Sequence, residues 1–288
     1  MHWRHAPAGC VHLRQVQQIP SRGNGRDHER ESAKVLQIEQ FTCLSDNFGV
    51  LIHDPESGRT ASIDAPEAAA IIDRLEAKGW TLTDIMTTHH HHDHVGGNLE
   101  LKERFGCHIT GPKGEADKIP GIDTAVGEGE VFSFGAFDFE VMETPGHTAG
   151  HIVYYSPKAG LLFAGDTLFS MGCGRLFERG AAEMWSGLSK LKALPAETML
   201  YCGHEYTLAN ARFALSVDPG NQALQARAAT VERLRSEGKP TLPVPLATEF
   251  KTNPFLRPDD PAIRAHLGMA DASDEDVFAE IRKRKDNF

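Results

Sequence analysis

The sequence predicts an α/β protein with a C-terminal helical domain, on three observations. From about Val35, short apolar segments of strand length alternate with segments of helical period, and turn residues separate them. Between residues 131 and 142, apolar and polar residues alternate around Gly135, which is typical of a β-hairpin. After about residue 205 the pattern becomes helical. We therefore expect a strand-rich domain over residues 36–204 and a helical domain over residues 205–288.

The first domain is expected to contain a strand-rich core with helices outside it. A helix begins near Pro66, which suits a first helical position, and ends before Gly79, which accommodates a left-handed conformation. The turn 54–58 separates the first two strands. Besides the hairpin, the expected strands are 48–53, 60–63, 84–88, 152–155 and 161–164.

The C-terminal domain is expected to contain two main helices. Between residues 221 and 238 one apolar stripe recurs at helical spacing, formed by Leu224, Ala228, Val231 and Leu234. A Pro-rich connector is expected from Pro240 to Pro261. A final helix over 274–285 has an inward face formed by Val277, Phe278 and Ile281.

Composition excludes several classes of protein. The chain has 288 residues, 40% of them hydrophobic, which is enough for a large core. It has no run of about 18 apolar residues and no secretory signal pattern, so we expect a cytoplasmic protein without membrane contact. A formal net charge of −10 disfavours a nucleic-acid partner, which requires a clustered basic face. We expect a monomer that acts on a small molecule.

Two further predictions concern the N-terminus and the cysteines. Residues 1–35 are rich in Arg and His and lack a hydrophobic period, which predicts a disordered tail. Asp27, Glu29 and Glu31 argue against a targeting segment, and an extension from an upstream start codon fits equally well. The five cysteines are odd in number and have no paired spacing, so we expect them to be reduced.

Residues 88–97, THHHHDHVGG, carry the strongest chemical signal. Five histidines and one aspartate occupy consecutive positions, and neutral imidazole is the commonest metal ligand in proteins. A histidine run can also be a purification tag, but tags lie at chain termini and lack an internal aspartate. Because the run follows a strand, His89 and His91 project to the same side, while Asp93 and His94 come from the turn beyond. The sequence therefore predicts a divalent-metal site.

Three isolated residues lie at the ends of other strands. His147 follows the hairpin, Asp166 follows the strand 161–164, and His204 follows residues 200–203. Each has a glycine neighbour, which lets another backbone segment approach closely. A single residue of this kind is more often a cap or a surface residue, so these three gain weight only from the motif at 88–97.

The order of these motifs resembles that of the metallo-β-lactamase superfamily. The chain contains H-x-H-x-D-H at 89–94, then His147, then Gly-Asp-Thr at 165–167, and finally Gly-His at 203–204. More specific segments resemble the glyoxalase II family, the hydroxyacylglutathione hydrolases: GCGRLFE at 172–178, YCGHEY at 201–206 and the basic end at 282–286. The resemblance covers about residues 36–288 and implies an αββα sandwich.

The resemblance also implies a dinuclear metal site. The first ion would be held by His89, His91 and His147, and the second by Asp93, His94 and His204. Asp166 would bridge the two ions, and a water shared by the ions would become the nucleophile. Asp93 and Asp166 would take part in catalysis chiefly as metal ligands. Zinc is the default ion for such ligands, although iron or manganese can occupy them. The histidines expected outside the ligand set are His53, His90, His92 and His151.

The same resemblance implies a glutathione thioester as substrate. By themselves, Arg282 and Lys285 are cations on one face near the end of a helix, and solvation alone explains them. In the family these two positions, together with Arg175 and Tyr206, hold the glutathione moiety. Phe177 stands where some members have tyrosine, which removes one hydroxyl. The implied reaction is hydrolysis of S-D-lactoylglutathione to D-lactate and glutathione, the second step of methylglyoxal detoxification.

Three alternatives share the fold. A persulfide dioxygenase would use a single iron, and His204 together with the helical C-terminal part disfavours it. A lactonase or β-lactam hydrolase would not need the basic final helix. A catalytically silent metal-binding protein would not need all seven ligands, and all seven are present.

Overall fold

The computed structural model describes residues 35–288, so the tail predicted at 1–35 lies outside the described residues except for Val35. The described chain contains two six-stranded sheets. The first sheet has the spatial order β1 (Gln37–Cys43), β2 (Asn47–Asp54), β3 (Arg59–Ile63), β4 (Asp84–Met86), β5 (His108–Pro112) and β6 (Thr124–Val126). Strands β1 to β3 are antiparallel, whereas β3 to β6 are parallel.

The second sheet is built mainly from antiparallel neighbours. Its strands are β7 (Val131–Phe134), β8 (Phe137–Glu143), β9 (Ile152–Ser156), β10 (Leu161–Phe163), β13 (Met199–Tyr201) and β14 (Val244–Pro245). Their spatial order is β14-β13-β10-β9-β8-β7, and only the β10–β13 pair is parallel among these strands. A small separate hairpin is formed by β11 (Leu168–Phe169) and β12 (Gly172–Cys173).

Helices flank the sheets and dominate the C-terminal part. The α-helices are α1 (Ala68–Lys78), α2 (His92–Val95), α3 (Asn98–Phe105), α4 (Ala181–Lys192), α5 (Thr207–Val217), α6 (Gln222–Ser236), α7 (Leu246–Thr252), α8 (Pro261–Leu267) and α9 (Asp274–Asp286). Two 3-10 helices cover Lys113–Lys118 and Pro254–Leu256. Within residues 35–288, no helix combines the length and the apolar surface that a bilayer-spanning segment requires.

The alternation of side chains along the strands creates two packed layers around the first sheet. Val50 and Ile52 of β2 belong to the large core between the sheets, whereas Leu51 packs in a second core with α1 and α3. On the other side, α4 buries Met184, Leu188 and Leu191 against the large core. The αββα arrangement expected from the resemblance is thereby confirmed.

Most of the predicted elements are present. The turn 54–58 joins β2 to β3, the hairpin around Gly135 joins β7 to β8, and α9 buries its three expected apolar residues. Helix α1 ends at Gly79, whose φ of 68° is the expected left-handed cap. The four cysteines among the described residues are free, as expected, and all four are buried.

Two predictions about elements were wrong in detail. Helix α1 begins at Ala68, two residues after Pro66, because Glu67 is extended (φ −153°, ψ 120°) and occupies the N-cap position. The segment 240–261 is not a plain connector, since it contains β14, α7 and a 3-10 helix. Strand β14 adds an edge to the second sheet by pairing Val244 with Leu200.

Candidate metal centre

Three of the predicted ligands occupy equivalent positions beyond strands of the two sheets. His89 follows the last residue of β4 by three positions, Asp166 follows β10 by three, and His204 follows β13 by three. The parallel register pairs Phe163 with Tyr201, so Asp166 and His204 leave the second sheet side by side. The sheets meet here, because Gly203 C=O accepts a hydrogen bond from the Phe48 N–H at 2.8 Å.

The histidine motif is fixed locally by Asp64, the residue that follows β3. Its carboxylate accepts hydrogen bonds from the Thr88 N–H at 2.7 Å and from the Thr88 hydroxyl at 2.9 Å. Beyond this anchor the chain stays extended to His91 and then turns into α2. The short helix places Asp93 and His94 beside the extended segment, as the sequence predicts.

The first group of ligands consists of His89, His91 and His147. Nε2 of His89 lies 3.2 Å from Nδ1 of His91, and Nε2 of His147 lies 3.0 Å from the same atom. His89 is fully buried and His147 is 6% exposed, while His91 is only half-buried. Three imidazole nitrogens therefore converge on one point with an opening on the His91 side.

The second group consists of Asp93, His94 and His204. Nε2 of His94 lies 3.3 Å from Nε2 of His204 and 3.6 Å from Oδ2 of Asp93. Nε2 of His204 lies 3.3 Å from the same Asp93 oxygen. Asn47 also donates to this carboxylate through its side-chain amide at 3.2 Å, which holds Asp93 in place.

Asp166 lies between the two groups. Its Oδ2 is 3.5 Å from Nε2 of His147 and 3.3 Å from Nε2 of His204, and its Oδ1 is 3.4 Å from Nε2 of His94. Oδ1 is buried and accepts no hydrogen bond from any residue in the range 35–288. A buried carboxylate oxygen without a donor is costly unless a cation neutralises it. Asp166 therefore occupies the position that a bridging ligand requires.

These distances fit divalent metal ions. Zinc binds imidazole nitrogen at about 2.0–2.1 Å in tetrahedral geometry, which separates neighbouring ligand atoms by roughly 3.3 Å. The contacts within both groups span 3.0 to 3.6 Å. Nitrogen and carboxylate oxygen donors of this kind suit zinc, iron and manganese alike.

The ring nitrogens that face away from the centre are also bound. Nδ1 of His94 lies 2.8 Å from Asp64, Nδ1 of His204 lies 2.9 Å from Asp46, and Nδ1 of His147 lies 2.9 Å from the carbonyl oxygen of Arg175. Such partners fix the orientation of each ring and leave Nε2 free for a metal. Sequence reasoning missed Asp46 and Asp64, although Asp64 follows a strand just as Asp166 does.

The ionisable groups of the centre differ in protonation. Burial lowers the pKa of His89 well below its usual range, so its ring is neutral and able to act as a ligand. Burial opposes charge on His204 as well, but hydrogen bonds to Asp166 and Asp93 outweigh it and raise the pKa of His204 to about 11. The hydrogen bond from His204 in turn lowers the pKa of Asp93. A metal ion that binds the second group must therefore displace a proton from His204.

The remaining histidines of the region have other partners. His151 is fully buried, and its Nε2 accepts the Asp166 N–H at 3.1 Å, so it supports the loop of the bridging ligand. His92 is exposed on α2, and His53 stacks on Trp80 at 4.7 Å. His90 belongs to a separate group with two glutamates.

Aromatic and cationic side chains border the centre. Tyr206 stacks on His204 with the rings 4.6 Å apart and is 38% exposed. The Phe177 ring lies 5.2 Å from that of His147 and is 59% exposed. The Arg175 guanidinium lies over Phe177 at 5.9 Å. Sequence-predicted residues thus meet at the mouth of the metal centre.

The basic end of α9 lies next to this mouth. Arg175 Nε and Arg282 Nη2 approach the same oxygen of Asp286, at 3.6 and 2.9 Å. Arg282 is only 5% exposed, and its Nη1 donates to the Cys173 carbonyl oxygen at 3.0 Å. Lys285 is half-buried, and its Nζ lies 3.4 Å from the carbonyl oxygen of Ala209. In this conformation Arg282 holds the loop before Arg175, whereas Lys285 keeps free donor capacity.

Comparison with known proteins places the chain in a family. Residues 56–204 match the model of the metallo-beta-lactamase superfamily, and residues 205–288 match the model described as the hydroxyacylglutathione hydrolase C-terminus. A hydroxyacylglutathione hydrolase of Rhizobium etli is 60% identical over 255 residues, which cover 88% of this chain and 100% of that protein. The chain belongs to the hydroxyacylglutathione hydrolase family.

A second relative agrees with this assignment, and a solved structure is similar in fold. A hydroxyacylglutathione hydrolase of Brucella ovis is 62% identical over 253 residues, which cover 88% of this chain and 98% of that protein. The crystal structure of ETHE1 from Myxococcus xanthus has a TM-score of 0.62 and 25% identity, covering 85% of this chain and 89% of that one. Of the residues discussed above, all seven metal-ligand candidates lie in the superfamily match, and Tyr206, Arg282 and Lys285 lie in the hydroxyacylglutathione hydrolase match.

Proposed function

We propose that this protein hydrolyses S-(2-hydroxyacyl)glutathione thioesters, with S-D-lactoylglutathione as substrate, to glutathione and a 2-hydroxy acid. The observation that carries the proposal is the convergence of seven ligands into two groups that share Asp166, beside a C-terminal part that matches the family's own model. Relatives at 60% identity are named hydroxyacylglutathione hydrolases, so the persulfide dioxygenase alternative is not favoured.

We propose zinc in both positions, because zinc is the default ion for a set of imidazole nitrogen and carboxylate oxygen donors. Iron or manganese can bind the same donors. When bound, two such ions supply a water whose pKa falls towards about 7 and a positive charge that polarises the substrate carbonyl.

The residues around the metals perform the remaining tasks. Asp166 contacts ligands of both groups and would fix their separation, while Asp64 and Asp46 hold two of the ligand rings in orientation. No protein acid is needed at the leaving group, because a thiol with a pKa near 8.5 departs readily as thiolate.

The border of the centre supplies the groups that glutathione requires. Arg175 is 61% exposed in its side chain and offers a guanidinium to a substrate carboxylate. Lys285 offers an ammonium group from the neighbouring end of α9. Phe177 and Tyr206 offer ring faces to the less polar parts of the thioester. We propose these contacts for the bound substrate, with Arg282 contributing through the Cys173 loop or directly.

We also propose a cellular setting. Removal of lactoylglutathione would make this the second step of methylglyoxal detoxification. A cytoplasmic location is supported by the four free cysteines of the described residues, since glutathione keeps thiols reduced there. A monomer that needs no macromolecular partner is the simplest assembly consistent with a small-molecule substrate, and the net charge of −10 disfavours nucleic acid.

The proposal is tested with the purified full-length chain and S-D-lactoylglutathione. Thiol release is followed with a chromogenic thiol reagent, and elemental analysis is made on the same sample. We expect rapid release and two divalent metals per chain, with activity lost after treatment with a chelator. Release no faster than in buffer, or a single iron per chain, contradicts the proposal.

A further inference from the structure

A buried glutamate outside the metal ligands connects two ligand segments. Glu115 lies in the 3-10 helix after β5 and is fully buried. Its Oε2 accepts the His90 N–H at 2.9 Å and lies 2.7 Å from Nδ1 of the same residue. Its Oε1 accepts the Gly150 N–H at 2.7 Å. One carboxylate thus ties the segment between two ligand histidines to the loop that follows His147.

A second glutamate adds a third segment to this connection. Glu178 accepts the Ala149 N–H through Oε2 at 2.7 Å, and its Oε1 lies 3.5 Å from Nε2 of His90. Lys118 approaches the same oxygen at 3.4 Å. Glu178 follows Phe177 at the mouth of the centre. The imidazole of His90 therefore has the Glu115 carboxylate at Nδ1 and the Glu178 carboxylate at Nε2, from two different segments.

Packing around Glu115 leaves little freedom. A Cβ atom added to Gly150 would lie 2.7 Å from Cγ of Glu115 and 2.9 Å from the Gly114 carbonyl carbon. Among residues 35–288, no lysine or arginine forms an ion pair with Glu115. Its negative charge is therefore stabilised by main-chain N–H groups and by the His90 side chain. Burying a carboxylate is costly, and here its donors belong to the segments that carry metal ligands.

The two metal groups share one support, Asp64, and differ in the others. Asp64 anchors Thr88 next to His89 and also lies beside Nδ1 of His94. Asp46 and Asn47 support the second group, and neither forms a hydrogen bond with Glu115 or Glu178. The first group has His91 directly after His90, and His147 two residues before Ala149. A change in the glutamates should therefore displace the first group more than the second.

We propose that Glu115, His90 and Glu178 form a positioning clamp that sets the geometry of the first metal group, His89, His91 and His147. Glu115 is the centre of the clamp and Glu178 its outer arm. The clamp acts through the main chain and touches neither substrate nor metal. This inference rests on the dinuclear site of the proposed function.

The test measures metal binding instead of turnover. Metal-free full-length protein and its Glu115→Gln variant are titrated with Zn²⁺ in competition with a chromophoric chelator. Glutamine keeps one acceptor oxygen but turns an NH₂ group towards one of the two backbone N–H donors. We expect two zinc ions in the wild type, and in the variant a roughly 10- to 100-fold weaker affinity for one of them, the range typical of lost ligand support.

Spectroscopy identifies which ion is affected. X-ray absorption at the zinc edge, recorded on Glu115→Gln with one equivalent of Zn²⁺, should show two imidazole ligands, as the second group provides. Glu130→Gln is the matched control, because Glu130 also accepts a backbone N–H, that of Gly127 at 2.6 Å, but is exposed and lies in a turn that carries no candidate ligand. Both zinc affinities should stay unchanged in this control.

Glu178→Gln provides a second variant that does not depend on the buried residue, since the Glu178 side chain is 28% exposed. It should weaken the binding of the same zinc ion by a smaller factor. If both variants bind both zinc ions equally more weakly, the clamp is overturned, because a merely structural role would not separate the two groups. If neither variant changes either zinc affinity, the clamp is overturned as well. Three zinc ions in the wild type also overturn it, by assigning His90, Glu115 and Glu178 to a metal. A wild type with fewer than two zinc ions contradicts the proposed function itself.

Discussion

Asp166 is the residue on which the proposed dinuclear centre depends most. It contacts His147 from the first group and both histidines of the second, and one of its buried oxygens accepts no hydrogen bond from the described residues. In the proposed centre, loss of this carboxylate would remove a ligand from both metal positions at once. Residues that only orient a ligand, such as Asp46, act on one position.

Asp166→Ala is therefore expected to abolish binding of both metals and thioester hydrolysis. Activity should fall by more than the roughly 100-fold that the loss of an orienting partner can cost. Asp46→Asn serves as control and should stay within that roughly 100-fold range. Metal content by elemental analysis and thiol release are measured on the same samples, and an Asp166→Ala variant that retains turnover contradicts the bridging role.

Zinc binding should release protons, because the carboxylates around His204 raise its pKa to about 11. At pH 7 the ring is protonated, and a metal on Nε2 must displace that proton. Zinc affinity should accordingly fall as the pH is lowered, by about tenfold per pH unit for each proton released. Calorimetric titration in buffers of different ionisation enthalpy measures the release, and binding heats that are independent of the buffer contradict it.

Sequence reasoning named the candidate ligands that the fold brings together, and it missed the residues that support them. His89, His91, Asp93 and His94 are recognisable because four donors lie within six positions. Asp46, Asp64 and Glu115 carry no such pattern, since a single acidic residue in a loop is usually solvated. Their roles depend on distances to ring nitrogens and main-chain N–H groups that only the folded chain defines.

At the level of elements, α9 has two cations with different environments. The Arg282 guanidinium is buried between the Cys173 carbonyl, Asp286 and the ring of Phe255. Lys285, three residues later, is half-buried beside the mouth of the centre. Burial lowers the pKa of Lys285, which indicates a poorly solvated ammonium group that would gain from an anionic ligand.

Substitution of these two residues should have separable effects. Arg282→Ala leaves a buried carbonyl without its donor and should lower the free energy of unfolding by roughly 1–3 kcal/mol, with a higher KM. Lys285→Ala should raise KM for the thioester about tenfold, equivalent to about 1.4 kcal/mol, with little change in stability. Chemical denaturation and steady-state kinetics measure both. A Lys285→Ala enzyme with unchanged KM contradicts a glutathione contact at this position.

The segment 240–261 shows why some elements escape prediction. Helix α7 has seven residues, too few for a stable isolated helix, and it forms because its side chains are held by the rest of the protein. Glu249 accepts hydrogen bonds from Ser170 and Met171, and Asn253 donates to the carbonyls of Phe169 and Gly172. These bonds fix the β11–β12 hairpin, which connects Asp166 to Arg175. Proline content alone therefore gave the wrong expectation.

For the whole molecule, two sheets bring together residues that are distant in sequence. Hairpins and strand lengths follow from local alternation and turn residues, and could be predicted. The pairing of β10 with β13, and the contact of Asn47 with His204 across the sheets, involve long loops and leave no local signal. Convergence of the seven candidate ligands could be anticipated only by resemblance to a family, and the geometry shows which strand ends bring them together.

The most direct test of the dinuclear centre is anomalous X-ray diffraction at the zinc edge from crystals of the zinc-loaded protein. Two anomalous peaks about 3.5–4 Å apart are expected. One should lie among His89, His91 and His147, the other among Asp93, His94 and His204, with Asp166 in contact with both. A single peak, or two peaks that do not share Asp166, would contradict this account.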